Sequence, residues 1–376
     1  MQSGKWVPLA GLASHPAFRQ GVPVTANVSD LERQARELLR PEVYEYYAGG
    51  SGGEVTLRAN NEAWRRVRFL PRVLRDVSAV RTGVRLGHPL NLELRTPIAV
   101  APTAYHRLAH PQGETATASG AARAGALFVL STRSTRRIEE VAAAVADGGG
   151  SWWFQVYLMY ERELTARLVR RATAAGARAL VLTADTPVVG RKVRMPGDGL
   201  IDEPDFLVNL GPLEDLAVTE FVPVSLADIG WLSDISGLPV VIKGVLRADD
   251  AAACLAAGAA AVIVSNHGGR QLDQAMPTAL ALPAVLAAAA GRPVYVDGGV
   301  RTAEHVLAGL ALGAQLVFVG RPVLWALACG GADGVQAWLD GLTDGLAHVM
   351  ALAGAAALDE LPGLAAIVDH ATRAPG

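Results

Sequence analysis

Residues 265–273 read SNHGGRQLD and follow directly on the apolar run AAAVIV. A buried core does not need a hydroxyl, an amide, an imidazole, two glycines and a guanidinium in a row. A histidine changes charge near neutral pH and can act as a general base, which makes His267 the first candidate for a catalytic group. Three residues on, Arg270 can grip a carboxylate with two parallel bonds. Asp185, in LTADTP, can orient the imidazole and steady its protonated form. Lys243 ends the run PVVIK, where an ammonium needs a partner because burying it alone is costly. It could face an anionic cofactor ring, form a Schiff base or bridge to a carboxylate.

Two further stretches suit an anion. VDGGVRTAEH holds Asp297, Gly298, Gly299 and Arg301, and FVGRPVLW holds Gly320 and Arg321. Glycines at a strand-to-helix turn let backbone N–H groups approach a phosphate, and the arginines add charge-assisted bonds. Other features carry less. His106 and His110 stand four apart in YHRLAH, but a third ligand with metal spacing is not evident, so no metal is expected. GGSGGE at 49–54 lacks the Lys-Ser/Thr ending of a P-loop. Trp152 and Trp153 read as core or rim.

Something must bring these residues together. Eight short apolar runs, PIAVA, ALFVLS, WFQVYL, ALVLTA, PVVIK, AAVIVS, PVYVD and QLVFVG, recur from residue 97 onward without polar alternation. That pattern marks strands buried on both faces, as in parallel sheets. Helical stretches lie between them, several ending in glycine. Eight such units in series predict an α/β fold, a (β/α)₈ TIM barrel. A doubly wound sheet would carry a glycine-rich fingerprint after its first strand, and AVAPTAYH has none. In a barrel the strand C-termini converge on one mouth. Here they are Pro102 and Thr103, Ser131, Gln155 and Tyr157, Thr183 and Asp185, Lys243, His267 and Arg270, Asp297 to Arg301, and Gly320 with Arg321. Residues 1–24, with Pro8, Pro16 and Pro23, read as an irregular lead-in. NVSDLERQARELLRPEVYEYYAGG predicts two helices, Ser29 capping the first and Pro41 separating them. Residues 1–96 are expected to form a helical segment packed on a barrel of residues 97–376, in one structural domain. The long, proline-dotted stretch 191–224 after the fourth strand is either a lid or a surface excursion.

The chain's 376 residues are 51% hydrophobic, enough for a large core. Lys and Arg number 34 against 36 Asp and Glu, with no basic block, which argues against nucleic acid as a partner. Two cysteines in alanine-rich stretches suit a reducing compartment. No signal-peptide pattern or membrane-length apolar run is present, so a cytoplasmic location is expected, with no membrane partner.

The chain resembles the FMN-dependent α-hydroxy acid oxidases and dehydrogenases, which include glycolate oxidase, lactate oxidase, mandelate dehydrogenase and hydroxymandelate oxidase. The resemblance spans about residues 28–355. It is carried by VYEYYAGG, VAPTAYHRLAHPQGE, FQVYL, LTADTP, VVIKGV, SNHGGRQLD, VDGGVR and VGRPVLW, in that order. It implies a barrel that binds FMN and oxidises a small L-2-hydroxy acid to the 2-keto acid, with O₂ or another acceptor taking the electrons. It implies His267 as base and Asp185 as its partner. Arg270 and Tyr46 would bind the substrate carboxylate, Tyr157 would meet a substrate oxygen, and Lys243 would lie near flavin N1. Pro102, Thr103, Ala104, Ser131, Gln155 and Thr183 would line the isoalloxazine. Ser265, Asp297, Gly298, Gly299, Arg301, Gly320 and Arg321 would hold the ribityl chain and phosphate. A homotetramer is also implied, and Ala104 leans towards an oxidase. Whether the Cα hydrogen leaves as hydride or as a proton stays open.

Two positions depart from the family pattern. Lys192 stands where a second carboxylate-binding arginine is usual, so Arg191 or Arg194 could supplement it. Arg133 stands where glycolate-type members often have tryptophan, which favours a substrate larger or more anionic than glycolate, or an aromatic one. Two rivals remain. A type 2 isopentenyl diphosphate isomerase would not need the His267, Arg270 and Asp185 set. A non-catalytic barrel that binds a phosphorylated ligand would not be bleached by any hydroxy acid.

Overall fold

The computed structural model describes residues 27–194, 208–210 and 222–368. The lead-in expected over 1–24 and most of the excursion expected over 191–224 lie outside the described residues. The eight apolar runs become eight strands: β1 (Ile98–Val100), β2 (Leu127–Leu130), β3 (Trp152–Val156), β4 (Leu180–Thr183), β5 (Val240–Val245), β6 (Ala261–Val264), β7 (Val294–Val296) and β8 (Leu316–Val319). They pair in parallel in chain order, and β8 pairs back with β1, closing a barrel.

Both faces of every strand are buried, which is why polar alternation is missing. Alternate side chains point inward, as the two-residue period requires. Val129, Trp153, Val181, Val241, Ile263, Tyr295 and Phe318 fill the interior. Leu86, Leu90, Leu92 and Leu94 join that cluster from a hairpin in which Val84–Leu86 pairs antiparallel with Leu92–Leu94. The intervening residues, such as Phe128, Leu130, Phe154 and Leu182, pack outward with the helices.

Three helices precede the barrel: α1 (Val28–Leu38), α2 (Pro41–Ala48) and α3 (Val55–Arg65). The α1 cap is Asn27, not Ser29. The Asn27 side chain accepts from the Ser29 N–H at 3.1 Å, so Ser29 is already inside the first turn. The first 96 residues are also not helical throughout. Besides the hairpin, Val67–Phe69 pairs antiparallel with Ala365–Ile367, tying the segment after α3 to the segment after α11. Around the barrel run α4 (Glu114–Arg123), α5 (Ile138–Asp147), α6 (Arg162–Ala174), α7 (Ala227–Ser236), α8 (Ala248–Ala256), α9 (Thr278–Ala289), α10 (Ala303–Leu312) and α11 (Arg321–Leu352). Among the described residues no helix is long and apolar enough to cross a membrane.

Candidate active site

The strand C-termini and α2 enclose a cavity of about 340 Å³. Tyr46, Pro102, Thr103, Ala104, Ser131, Arg133, Tyr157, Lys192, Lys243, His267, Arg270, Asp297, Gly298, Gly299, Arg301, Gly320 and Arg321 all line it. Asp185, Gln155, Thr183 and Ser265 do not, and stand one layer behind. Gln155 accepts from the Ser131 hydroxyl at 3.2 Å and donates to Thr183 Oγ1 at 3.0 Å. Ser265 Oγ accepts from Lys243 at 2.9 Å.

His267 Nδ1 lies 2.9 Å from Asp185 Oδ1. Burial alone would raise the Asp185 carboxyl, but the nearby His267 and Lys243 charges outweigh it and hold its pKa below the usual range. An ionised Asp185 can only accept, so Nδ1 carries a hydrogen, and in the neutral imidazole Nε2 is then the nitrogen with a lone pair that could take a proton. The two glycines after His267 have a steric reason. His267, Gly268 and Gly269 have φ of 57°, 63° and 75°, a left-handed run. A Cβ on Gly268 would lie 2.9 Å from Arg321 Nη1, and one on Gly269 would lie 2.7 Å from the Leu57 nitrogen.

A residue that sequence reading missed places Asp185. The β5–β6 register shifts between Lys243 and Val245, and Gly244 at that bulge has φ 108°. A Cβ there would sit 2.5 Å from Asp185 Cβ. We expect Gly244→Ala to displace the carboxylate from His267 and slow any step in which His267 acts as base about a hundredfold, as single-turnover kinetics would show.

Lys243 is 4% exposed and lies 3.2 Å from Asp297, itself 6% exposed. Burial opposes the ammonium, but Asp297 and then Asp185 outweigh burial, and the lysine pKa stands above its ordinary value. Lys243 is thus favoured as a cation bridged to a carboxylate, which argues against the Schiff-base option left open by the sequence, since that needs a neutral amine.

Arg270 and Arg321 both clasp the carbonyl end of α2. Arg270 Nη1 donates to the Tyr46, Tyr47 and Gly49 carbonyls at 2.8, 3.3 and 2.9 Å. Arg321 donates to Tyr47, Gly268 and Gly49 carbonyls at 2.9, 3.0 and 2.9 Å. The orphan carbonyls of a helix C-terminus attract cations, and the sequence offered no sign of this use. Among the described residues the Arg270 bonds all fall on Nη1, so Nε and Nη2 keep donors for a carboxylate.

Lys192 faces the cavity where burial, then the Arg270 charge, lowers its pKa to about 8. Arg194 does not supplement it. Its guanidinium turns away to Glu45 at 2.9 Å and Glu54 at 2.7 Å, because two carboxylates on the N-terminal helices neutralise it there. Arg191 is exposed and outside the cavity lining. The Tyr46 and Tyr157 phenols are raised by burial and stay protonated donors. Tyr47, Tyr105 and Gln271 also line the cavity. They lie within VYEYYAGG, VAPTAYHRLAHPQGE and SNHGGRQLD, but their residue types alone assign them no place, because they reach the mouth through packing of α2 and the β1 and β6 loops. Both ring nitrogens of His106 are within hydrogen-bond distance of hydroxyls, Thr103 at 2.7 Å and Thr117 at 2.8 Å.

The family model for FMN-dependent dehydrogenase matches residues 35–366. The chain belongs to that family. An L-lactate oxidase from Nostoc sp. is 42% identical over 354 residues, 89% of this chain and 96% of the relative. A glycolate oxidase from Spinacia oleracea is 40% identical over 89% of this chain and 94% of its own, and a 4-hydroxymandelate oxidase from Amycolatopsis orientalis is 40% identical over 87% and 94%. A crystal structure of mandelate oxidase, at 40% identity, superposes with a TM-score of 0.84 over 91% of this chain and 98% of that one.

FMN is the family's cofactor, and this member's own cavity fits it. Burial, then the nearby Arg270 and Arg301 charges, pulls the Arg321 guanidinium well below its ordinary pKa, and burial lowers Arg301. Among the described residues neither forms an ion pair with a carboxylate, so the pair calls for an external anion such as a phosphate. Asp297 Oδ1 is buried with no hydrogen-bond partner among the described residues, and a polyol hydroxyl would satisfy it.

Proposed function

We propose that this FMN-dependent 2-hydroxy acid oxidoreductase acts on an L-2-hydroxy acid larger than glycolate, and that His267 is its base. The observation that carries the base is His267 in the cavity beside Arg270, backed from one layer behind by Asp185 on Nδ1, so that in the neutral imidazole Nε2 is the nitrogen that can accept a proton. Arg270, Tyr46 and Lys192 hold the substrate carboxylate, and Tyr157 donates to a substrate oxygen. His267 takes the proton while Asp185 steadies the resulting imidazolium. Lys243, held charged by Asp297, stabilises negative charge at its end of the cavity. Bound FMN supplies the two-electron acceptor, which O₂ or another oxidant then regenerates. Thr103, Ala104, Ser131 and Pro102 would border its ring system directly, with Gln155 and Thr183 supporting from behind. Lys243 and Ser265, Asp297, Gly298, Gly299, Arg301, Gly320 and Arg321 would hold the remainder.

The test is anaerobic mixing of the FMN-loaded protein with a panel of L-2-hydroxy acids while flavin absorbance is followed. Rapid bleaching by acids larger than glycolate supports the reading, and bleaching by none sinks it. A homotetramer in the cytoplasm belongs to the same proposal. The exposed side chains of Leu70, Val73 and Leu74, clustered on one stretch, support association between copies.

Lys192 adds a pH effect. Its charged form helps bind a carboxylate and is lost as pH rises through about 8. KM for the hydroxy acid should therefore rise about threefold to tenfold across that range, while kcat moves less because the bound carboxylate restores the lysine proton. Lys192→Arg should flatten the KM profile, since a guanidinium stays protonated.

A further inference from the structure

His267 and Asp185 are 82 positions apart and sit on different loops, so their 2.9 Å contact holds only while the β4 loop stays in register with the β6 loop. From residue 184 to residue 190 the chain forms neither helix nor strand. The Thr186 hydroxyl donates to Asp185 Oδ1 at 3.2 Å, but it belongs to the same loop and moves with it. Gln271, on the loop that carries His267, crosses the gap. Its Nε2 donates to the Asp185 carbonyl at 3.1 Å and to the Val188 carbonyl at 3.2 Å. Its Oε1 accepts from the Gly190 N–H at 3.0 Å. Both amide hydrogens and the amide oxygen therefore grip one loop. The reversed amide would set its NH2 against an N–H and its oxygen against two carbonyls, so the orientation is fixed by its partners. The seam is also close-packed: a Cβ on Gly190 would lie 2.5 Å from the Arg270 carbonyl oxygen and 2.9 Å from Gln271 Cα. Beyond Gly190 the β4 loop has a tie of its own, because the Arg191 carbonyl accepts from the Gly52 N–H at 3.0 Å.

We infer that Gln271 is a positioning residue for the oxidation: by holding the Asp185 backbone from the His267 loop, it keeps the carboxylate on Nδ1. This rests on the reading of His267 as base and adds what aligns the pair. A displacement of about 1 Å in a catalytic constellation can cost about a hundredfold in rate. Each amide bond adds little net stability where water can replace it, so the loss falls on the rate more than on the fold. It also falls on the rate more than on carboxylate binding, since the Gly52 tie to Arg191 stands next to Lys192.

The experiment is a double-mutant cycle on anaerobic flavin reduction in the FMN-loaded enzyme. The reductant is L-lactate, L-2-hydroxyvalerate or L-mandelate, whichever bleaches the wild type fastest. Gln271→Met should slow reduction about tenfold to a hundredfold, with the dissociation constant of the corresponding 2-keto acid changed by less than about threefold. Asp185→Asn should cost about threefold to tenfold less in the Gln271→Met background than in the wild type, because the carboxylate has already left its place. Gly190→Ala presses on the same seam from the other loop and should shrink the Asp185→Asn effect in the same way; it carries the test should Gln271→Met fail to fold. Losses that simply multiply overturn the inference, because they mark a role independent of Asp185. A reduction rate within about threefold of wild type overturns it too, as does weaker 2-keto acid binding without slower reduction. In each of those outcomes the wild type is still bleached and the hydroxy acid reading stands. A wild type bleached by no hydroxy acid overturns that reading and this inference with it.

Discussion

Replacing His267 with glutamine should slow anaerobic flavin reduction by about a thousandfold to ten-thousandfold, the range lost when a positioned general base is removed. Glutamine keeps a polar side chain of similar reach but has no group that accepts a proton near neutral pH. The backbone at 267 is left-handed, with φ 57°, so the substitution should disturb the loop no more than the histidine already does. FMN content and the dissociation constant of a 2-keto acid should change less than tenfold, because Arg270, Tyr46 and Lys192, which line the same cavity, would still be in place to hold the carboxylate. A reduction rate within tenfold of wild type would remove His267 as base. Asp185→Asn should fall between wild type and His267→Gln. It leaves the imidazole in place but takes away the negative charge 2.9 Å from Nδ1.

Lys243→Met should cost about 3–5 kcal/mol of folding stability as well as most of the activity. The lysine and Asp297 are both almost fully buried and 3.2 Å apart, so removing the cation strands a carboxylate that already has one unsatisfied oxygen. The second substitution separates the two effects. Lys243→Met combined with Asp297→Asn removes the stranded charge and should recover a large part of the lost stability, as thermal or urea unfolding would show. Flavin reduction should stay depressed by about a hundredfold or more, because no cation remains at that end of the cavity. Recovery of full activity in the double variant would mean that Lys243 serves folding alone.

The barrel was legible because each of its strands is buried on both faces, and such strands announce themselves as apolar runs that need no partner to be recognised. Runs such as AAVIVS and PVYVD land on β6 and β7. The strand-end polar residues were legible for a related reason: once eight parallel strands close, their C-termini must meet, whatever the loops do. The cap on α1 was misplaced by two residues, from Asn27 to Ser29, since either side chain suits an N-cap and only the course of the backbone decides which one it is.

By itself the sequence determined the barrel, the mouth and the chemical types gathered there, because periodicity and residue type are local properties. Only the tertiary structure decided the partners. It paired Lys243 with Asp297, sent Arg194 to Glu45 and Glu54, anchored Arg270 and Arg321 on α2 and set Gly244 against Asp185. Each of those contacts joins residues far apart in the chain, and a charge finds its partner by distance through space, which no spacing along the sequence encodes.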